Sequence, residues 1–324
     1  MCTAINFKTK DHYFGRNLDL ECSYQETVTI TPRHYSFFFQ KMGQMEIHYA
    51  IIGMAYVVEG YPLYYDATNE KGVSIAGLRF AGNAFYPEEV EGKENVSPFE
   101  LIPWILSQCA NMIEVKQLLH GLNLLNLPFS KELPLTPLHW MISYKEESIV
   151  LESTKDGLKV YENPVGVLTN NPPFELQLWN LSNYMGLTRE VQQNRFSEKL
   201  KLEEYSRGMG AMGLPGDLSS ASRFVRAAFV LQNSVSGESE EESVGQFFHI
   251  LSSVEQQKGC VKLEDGMYEV SIYSSCCNTD KGIYYYVTYG NRQITAVDMW
   301  KEELEGKTVV SYPLVKKQQI CMQN

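Results

Sequence analysis

A chain of 324 residues, 44% hydrophobic and 21% charged, is long enough to bury a large core and too apolar to be disordered. Its formal net charge of -11 argues against nucleic acid or an anionic membrane surface as a generic partner, so an anionic small molecule would have to be met by local arginines. The seven cysteines contain no C-x-x-C pair, which disfavours a zinc ribbon or a thioredoxin-like site, and the six beyond Cys2 read as reduced structural thiols of a cytoplasmic protein. The first ten residues carry Lys8 and Lys10 and no long apolar run, which predicts no signal peptide. No apolar stretch approaches the ~18 residues of a membrane span.

The chain opens as a hairpin, with a strand over Cys2 to Phe7, a turn at Lys8 to Asp11 and a second strand from His12 to Arg16. Cys2 stands directly behind the initiator methionine. Removal of Met1 would leave a thiol and a free α-amine on one residue, a nucleophile and a base together. The alternative at this position is an ordinary buried cysteine on a first strand. The hairpin returns Gly15-Arg16-Asn17-Leu18-Asp19 to the side of Cys2. There Arg16 would favour the thiolate and the neutral amine, and Asp19 would accept a hydrogen bond from that amine.

Further strands are predicted at Glu26 to Thr31, His48 to Met54 and Val73 to Leu78. Ser97-Pro98-Phe99-Glu100 has the spacing of a capping box, with proline at the first helical position, and predicts a helix with Leu101, Ile102, Ile105 and Leu106 on its apolar face. A second helix starts behind Asn111 and runs towards Leu119. Strands follow at His139 to Ser143, Ser148 to Ser153 and Leu158 to Glu162, the last two joined by a Lys155-Asp156-Gly157 hairpin.

Leu168-Thr169-Asn170-Asn171-Pro172-Pro173 ends a strand on a turn. Asn171 before proline is turn chemistry. Asn170 is either a turn residue as well or a neutral amide donor for an oxyanion. Gly208 to Gly213 matches G-x-G-x-x-G letter for letter but neither follows a strand nor opens directly into a helix, so it reads as a loop at a subunit contact rather than a dinucleotide fingerprint.

Helices are predicted over Ser220 to Leu231 and Val244 to Val254, with the acidic Ser236 to Ser243 between them as a surface loop. Arg223 sits in an early helical turn, where the dipole disfavours a cation, which hints at another task for it. Strands close the chain at Tyr268 to Ser274, Gly282 to Tyr289 and Gln293 to Asp298. Cys276 and Cys277, adjacent on an extended chain, point to opposite faces. Tyr284-Tyr285-Tyr286 and Phe37-Phe38-Phe39 read as core and edge strands. The six histidines form no H-E-x-x-H pattern, and there is no G-x-S-x-G elbow or P-loop, so neither a metal nor another cofactor is expected. Strands and helices fall in blocks, the pattern of an α+β layered fold, with no domain boundary within 1–324.

These segments together resemble the choloylglycine hydrolase family of N-terminal nucleophile hydrolases, and its bile salt hydrolase branch in particular. The resemblance is carried by Met1-Cys2-Thr3-Ala4-Ile5, Gly15 to Asp19, Asn69-Glu70-Lys71-Gly72, Leu138-His139-Trp140-Met141 and Gly166 to Asn170. It continues through Gly213 to Asp217, Ser222-Arg223-Phe224, Phe247 to Leu251 and Lys281 to Tyr286. It implies an αββα four-layer sandwich formed by one domain, with Met1 removed and Cys2 as nucleophile. Arg16 and Asp19 would position it, Arg223 would support it, and Asn170 with the backbone N–H of Arg79 would receive the oxyanion. Arginine at 79 departs from the asparagine usual in that branch and the tyrosine of the penicillin V acylases, and its side chain offers a partner for a substrate anion.

The resemblance further implies cleavage of glycine- or taurine-conjugated bile salts, a cleft lined by Leu18, Tyr24, Tyr65, Phe129 and Leu133, and a homotetramer assembled through the segment near Arg207 to Gly216. The same chemistry on penicillin V or an acyl homoserine lactone, and a non-catalytic sterol-binding protein, are the competing readings.

Overall fold

The structure, a computed structural model, describes all residues from Met1 to Asn324. In chain order the strands are β1 (Cys2–Lys8), β2 (His12–Leu20), β3 (Thr27–Thr31), β4 (Phe37–Phe39), β5 (Gly43–Met45), β6 (Ile51–Val58), β7 (Tyr61–Asn69), β8 (Ser74–Arg79) and β9 (Glu94–Val96). Helices α1 (Leu101–Leu106) and α2 (Met112–Gly121) follow, then β10 (Leu122–Leu124), β11 (Leu138–Tyr144), β12 (Glu147–Thr154), β13 (Gly157–Glu162) and β14 (Val167–Leu168). Helices α3 (Phe174–Leu181), α4 (Ser220–Asn233) and α5 (Glu240–Ser252) precede the last strands, β15 (Val270–Asn278), β16 (Ile283–Thr288), β17 (Asn291–Asp298) and β18 (Val310–Pro313).

Two large sheets organise the molecule. One has the order β14-β1-β2-β15-β16-β17 and the other β13-β12-β11-β8-β7-β6-β3-β18, and the pairings within both are antiparallel. Successive residues of a strand face opposite sides, so Ile75 and Ala76 of β8 enter different cores. Ile75 joins Trp140 and Ile142 under Leu101, Ile105 and Leu119 of α1 and α2. Ala76 joins Ile52, Met54, Met141 and Val150 against Ile5, Phe14 and Tyr273 of the other sheet, continuous with Phe224, Phe247 and Ile250 of α4 and α5. The layers therefore run helix, sheet, sheet, helix, the expected sandwich. No helix is long and apolar enough to cross a membrane.

Several elements differ from the sequence-based expectation: β7 and α3 have no counterpart in it, and three other differences have a visible cause. The strand expected at His48 starts at Ile51 and continues to Val58, because the backbone N–H groups of His48 and Tyr49 donate to the carbonyls of Arg33 and Ser107 instead of a ladder. The helix expected from Ser97 begins at Leu101, and its capping box is half made: Glu100 accepts the N–H of Ser97 at 3.2 Å, while the Ser97 hydroxyl donates to the carbonyl of Leu127. The parallel pairing of β9 with β10 brings Leu127 there. Conversely, half of the loop expected over Ser236 to Ser243 is helix. Ser239 and Glu242 form a reciprocal capping box, and Glu240, Glu241 and Glu242 suit the positive end of α5.

Candidate active site

The first hairpin has the register that places the reactive residues. Cys2 lies opposite Leu18 and Ala4 opposite Arg16, and β15 runs on the other side of β2 with Ser271 opposite Asp19. Cys2, Arg16, Asp19 and Arg223 are all buried, and Asn170 is 6% exposed.

Arg16 crosses from one sheet to the other. Its Nη1 donates to the carbonyls of Tyr65 at 3.1 Å and Gly77 at 2.5 Å, and its Nε to Asn17 at 3.3 Å. The pairing of β7 with β8 ends at Asp66 and Ala76, so the guanidinium supplies donors where the ladder stops. Burial works against its charge, but Cys2, Tyr273, Asp66 and Asp19 outweigh that and push its pKa upwards.

Asp66 is itself buried and accepts from Tyr273 at 2.6 Å, Tyr284 at 2.7 Å and Ser275 at 3.0 Å. Nothing in the sequence singled out this counter-charge. An Asp flanked by tyrosines on separate strands has no local signature.

Arg223 resolves the anomaly of a cation early in a helix. Its Nη1 donates to the carbonyl of Cys2 and the hydroxyl of Thr3, both at 2.6 Å, its Nη2 to Asn170 Oδ1 at 2.9 Å, and its Nε to the carbonyl of Leu218 at 3.1 Å. Burial lowers its pKa, opposed by Asp19 and Cys2. Neither guanidinium gives up its proton in a protein.

Asp19 faces Arg223 at 4.0 Å and accepts from Ser271 at 2.5 Å. Burial raises its pKa against the pull of Arg223 and the N-terminus. The ammonium of Met1, still attached here, donates to the backbone carbonyl of Asp19 at 2.7 Å and pairs with the carboxylate of Glu269. The contact expected of the Asp19 carboxylate is with the α-amine that Cys2 gains once Met1 leaves. Glu269 is not singled out by the sequence.

Asn170 is the hub. Its Oδ1 accepts from the nitrogen of Cys2 at 2.7 Å, and its Nδ2 donates to the carbonyl of Arg79 at 2.8 Å. Phe80 N–H bonds to Pro137 and Arg79 stands opposite Leu138. Antiparallel alternation therefore turns both the C=O and the N–H of Arg79 away from β11, to the side where Gly77 meets Arg16. Asn171 instead ties its turn to the segment after β8, donating to the carbonyl of Ala81 and accepting from the Asn83 amide, both at 2.7 Å.

The five expected cleft residues are less uniform. Leu18 is buried beside Cys2 and Tyr65 is half-buried with its carbonyl on Arg16, while Tyr24 is exposed on the turn after β2. Phe129 packs on Tyr61 and Phe99, and Leu133 closes a turn with Ser130. The structure thus gathers the polar residues around Cys2 with Leu18 and Tyr65 beside them, while Tyr24, Phe129 and Leu133 come from the loops after β2 and β10. No three His, Cys, Asp or Glu side chains are gathered as metal ligands.

Comparison with known proteins places this geometry. A bile salt hydrolase/transferase of Lactiplantibacillus plantarum is 59% identical over 314 residues, 97% of each chain. The C2A variant of conjugated bile acid hydrolase from Clostridium perfringens superposes with a TM-score of 0.92 at 36% identity, covering 100% of both chains. Penicillin V acylase from Agrobacterium tumefaciens superposes with a TM-score of 0.74 over 96% of this chain and 90% of its own, but at 17% identity that likeness concerns the fold alone.

The layered fold, with a cysteine second in the chain and heading its first strand, is that of the N-terminal nucleophile hydrolases. Residues 2–312 match the model for linear amide C–N hydrolases of the choloylglycine hydrolase family, and the chain belongs to that family.

Proposed function

We propose that this protein hydrolyses the amide bond of glycine- and taurine-conjugated bile salts, with Cys2 as nucleophile once Met1 has been removed. The observation that carries the mechanism is Asn170, which joins the Cys2 nitrogen, Arg223 and the Arg79 carbonyl through one side-chain amide. Removal of Met1 turns that nitrogen into the α-amine. The amine takes the thiol proton, and the sulfur attacks the substrate carbonyl carbon. The second hydrogen of Asn170 Nδ2 and the N–H of Arg79 receive the oxyanion. Collapse breaks the C–N bond as the Cys2 ammonium protonates the departing nitrogen, releasing glycine or taurine and leaving a thioester. Water, deprotonated by the same amine, attacks the thioester. The thiolate leaves and regains its proton, and the bile acid is released.

Arg16 and Arg223 keep charge balanced around a buried thiolate, and Asp19 offsets Arg223. Leu18, Tyr24, Tyr65, Phe129 and Leu133 remain the candidates for the steroid surface, and the exposed side chain of Arg79 for the conjugate's carboxylate or sulfonate. The relative that is 59% identical is called a hydrolase/transferase, and an amine replacing water at the thioester would give acyl transfer by the same steps.

A homotetramer and a cytoplasmic location complete the reading. Support for assembly comes from Met185, Val191, Phe196, Tyr205 and Met212, apolar side chains left exposed between α3 and α4. The test measures intact mass and turnover of glycocholate, taurocholate and penicillin V on one preparation. Loss of Met1 with release of glycine or taurine is expected. Cleavage of penicillin V alone would move the assignment to the acylase branch, and loss of Met1 without any turnover would favour a sterol-binding protein.

A further inference from the structure

Behind Asn170 lies a buried pair that the mechanism above does not use. His139 on β11 and Glu152 on β12 are both fully buried, with His139 Nδ1 3.1 Å from Glu152 Oε1 and its Nε2 2.8 Å from the carbonyl of Thr169. The same Glu152 oxygen accepts the N–H of Phe174 at 3.0 Å. Thr169 and Phe174 are the two ends of the turn that carries Asn170. The imidazole also lies flat on Phe80, next to Arg79, with ring centroids 4.3 Å apart and planes 5° from parallel. One ring thus touches both chain segments that flank the oxyanion donors.

The hydrogen-bond pattern constrains the protons. A carbonyl only accepts, so Nε2 carries hydrogen. Nδ1 faces a carboxylate oxygen, so a second proton lies between them; without it two lone pairs would oppose each other. The pair therefore shares one proton, as imidazolium–carboxylate or imidazole–carboxylic acid. Charged pairs this dry repay their desolvation poorly, and Glu152 Oε2 has no partner at all. An apolar pair would fill the same space at lower cost. What the polar pair adds is direction, since it fixes where the turn begins and ends.

We propose that His139 and Glu152 are positioning residues that clip the 169–174 turn and set Asn170 against the backbone of Arg79. This rests on the role given to Asn170 above. Glu152→Gln cannot preserve the clip. With its oxygen towards Phe174, a neutral His139 must donate from Nδ1 and loses Thr169; with its nitrogen there, it opposes the Phe174 N–H.

The experiment measures kcat and KM for glycocholate in E152Q, H139Q and the double variant, with thermal unfolding and iodoacetamide titration of Cys2 alongside. Expected is a tenfold to hundredfold fall in kcat with KM within threefold of wild type, and a double variant no more than threefold below the worse single one. Folded single variants with kcat within twofold of wild type, multiplicative losses, or KM rising in step with falling kcat would overturn the clip. Should E152Q and H139Q fail to fold, F80L decides: a loss confined to kcat supports the clip and an unchanged kcat overturns it. If wild-type protein cleaves penicillin V instead of glycocholate, the bile-salt reading fails and the clip is measured on penicillin V. Wild-type protein that cleaves neither of these nor taurocholate overturns both.

Discussion

The surroundings of Cys2 and the segment between α3 and α4 depart from the ordinary partition of polar and apolar groups in opposite directions. At Cys2 two arginines, two aspartates and an asparagine are buried, and each makes hydrogen bonds to fixed neighbours. Between α3 and α4, Met185, Phe196 and Tyr205 are each at least 80% exposed. Burying a charge is costly unless its partners are built around it, whereas exposing an apolar side chain is tolerated until a second surface covers it. One region finds partners for its polar side chains within the chain; the other leaves apolar side chains uncovered, and the proposed assembly is assigned to that face.

The sharpest way to break this contrast is C2S. It should lower turnover by on the order of a thousandfold or more while circular dichroism and the unfolding midpoint stay near wild type; comparable turnover would remove Cys2 from the chemistry. Next is N170A, expected to reduce kcat by about a hundredfold to a thousandfold, the scale of a lost oxyanion donor. Steady-state kinetics on glycocholate decide this, and a loss confined to KM would mean that Asn170 binds substrate only.

R223M separates stability from catalysis. It strands Asp19 in a buried site, and removing one partner of a buried pair costs about 3–5 kcal/mol, to be read as a lower urea midpoint. An unchanged midpoint would show that the charges at Cys2 do not depend on each other. The exposed region should respond in the opposite sense. The double substitution F196D/Y205D is expected to reduce the mass found by light scattering while the unfolding of each chain shifts by less than about 0.5 kcal/mol, as surface changes do. An unchanged mass would place the contact elsewhere.

Much of the candidate site is legible in the sequence alone. Cys2 next to Met1, the hairpin that returns Arg16 and Asp19, and the odd placement of Arg223 near a helix start are local or nearly local signals. Asp66, Glu269, His139 and Glu152 were not singled out, because each acquires its role from a partner on a distant strand. His139 lies in a segment quoted for the family resemblance, yet its task is visible only with Thr169 and Phe174 at its sides. Tyr24, Phe129 and Leu133, on the loops after β2 and β10, show the converse, since a likeness of sequence names residues without giving their contacts.

By itself the sequence determined the succession of strand and helix blocks, the first hairpin, and the chemistry available at residue 2. Those depend on side-chain period, turn residues and neighbours within about twenty positions, which short-range sterics and burial dictate. Only the tertiary structure decided that Arg16 would end the β7–β8 ladder, that Asn170 would meet both Cys2 and Arg79, and that the ammonium of Met1 would meet the Asp19 carbonyl and the Glu269 carboxylate. Each contact joins groups on separate strands or turns. Its geometry is set by how two sheets pack and where their pairing stops, and no local pattern carries that information.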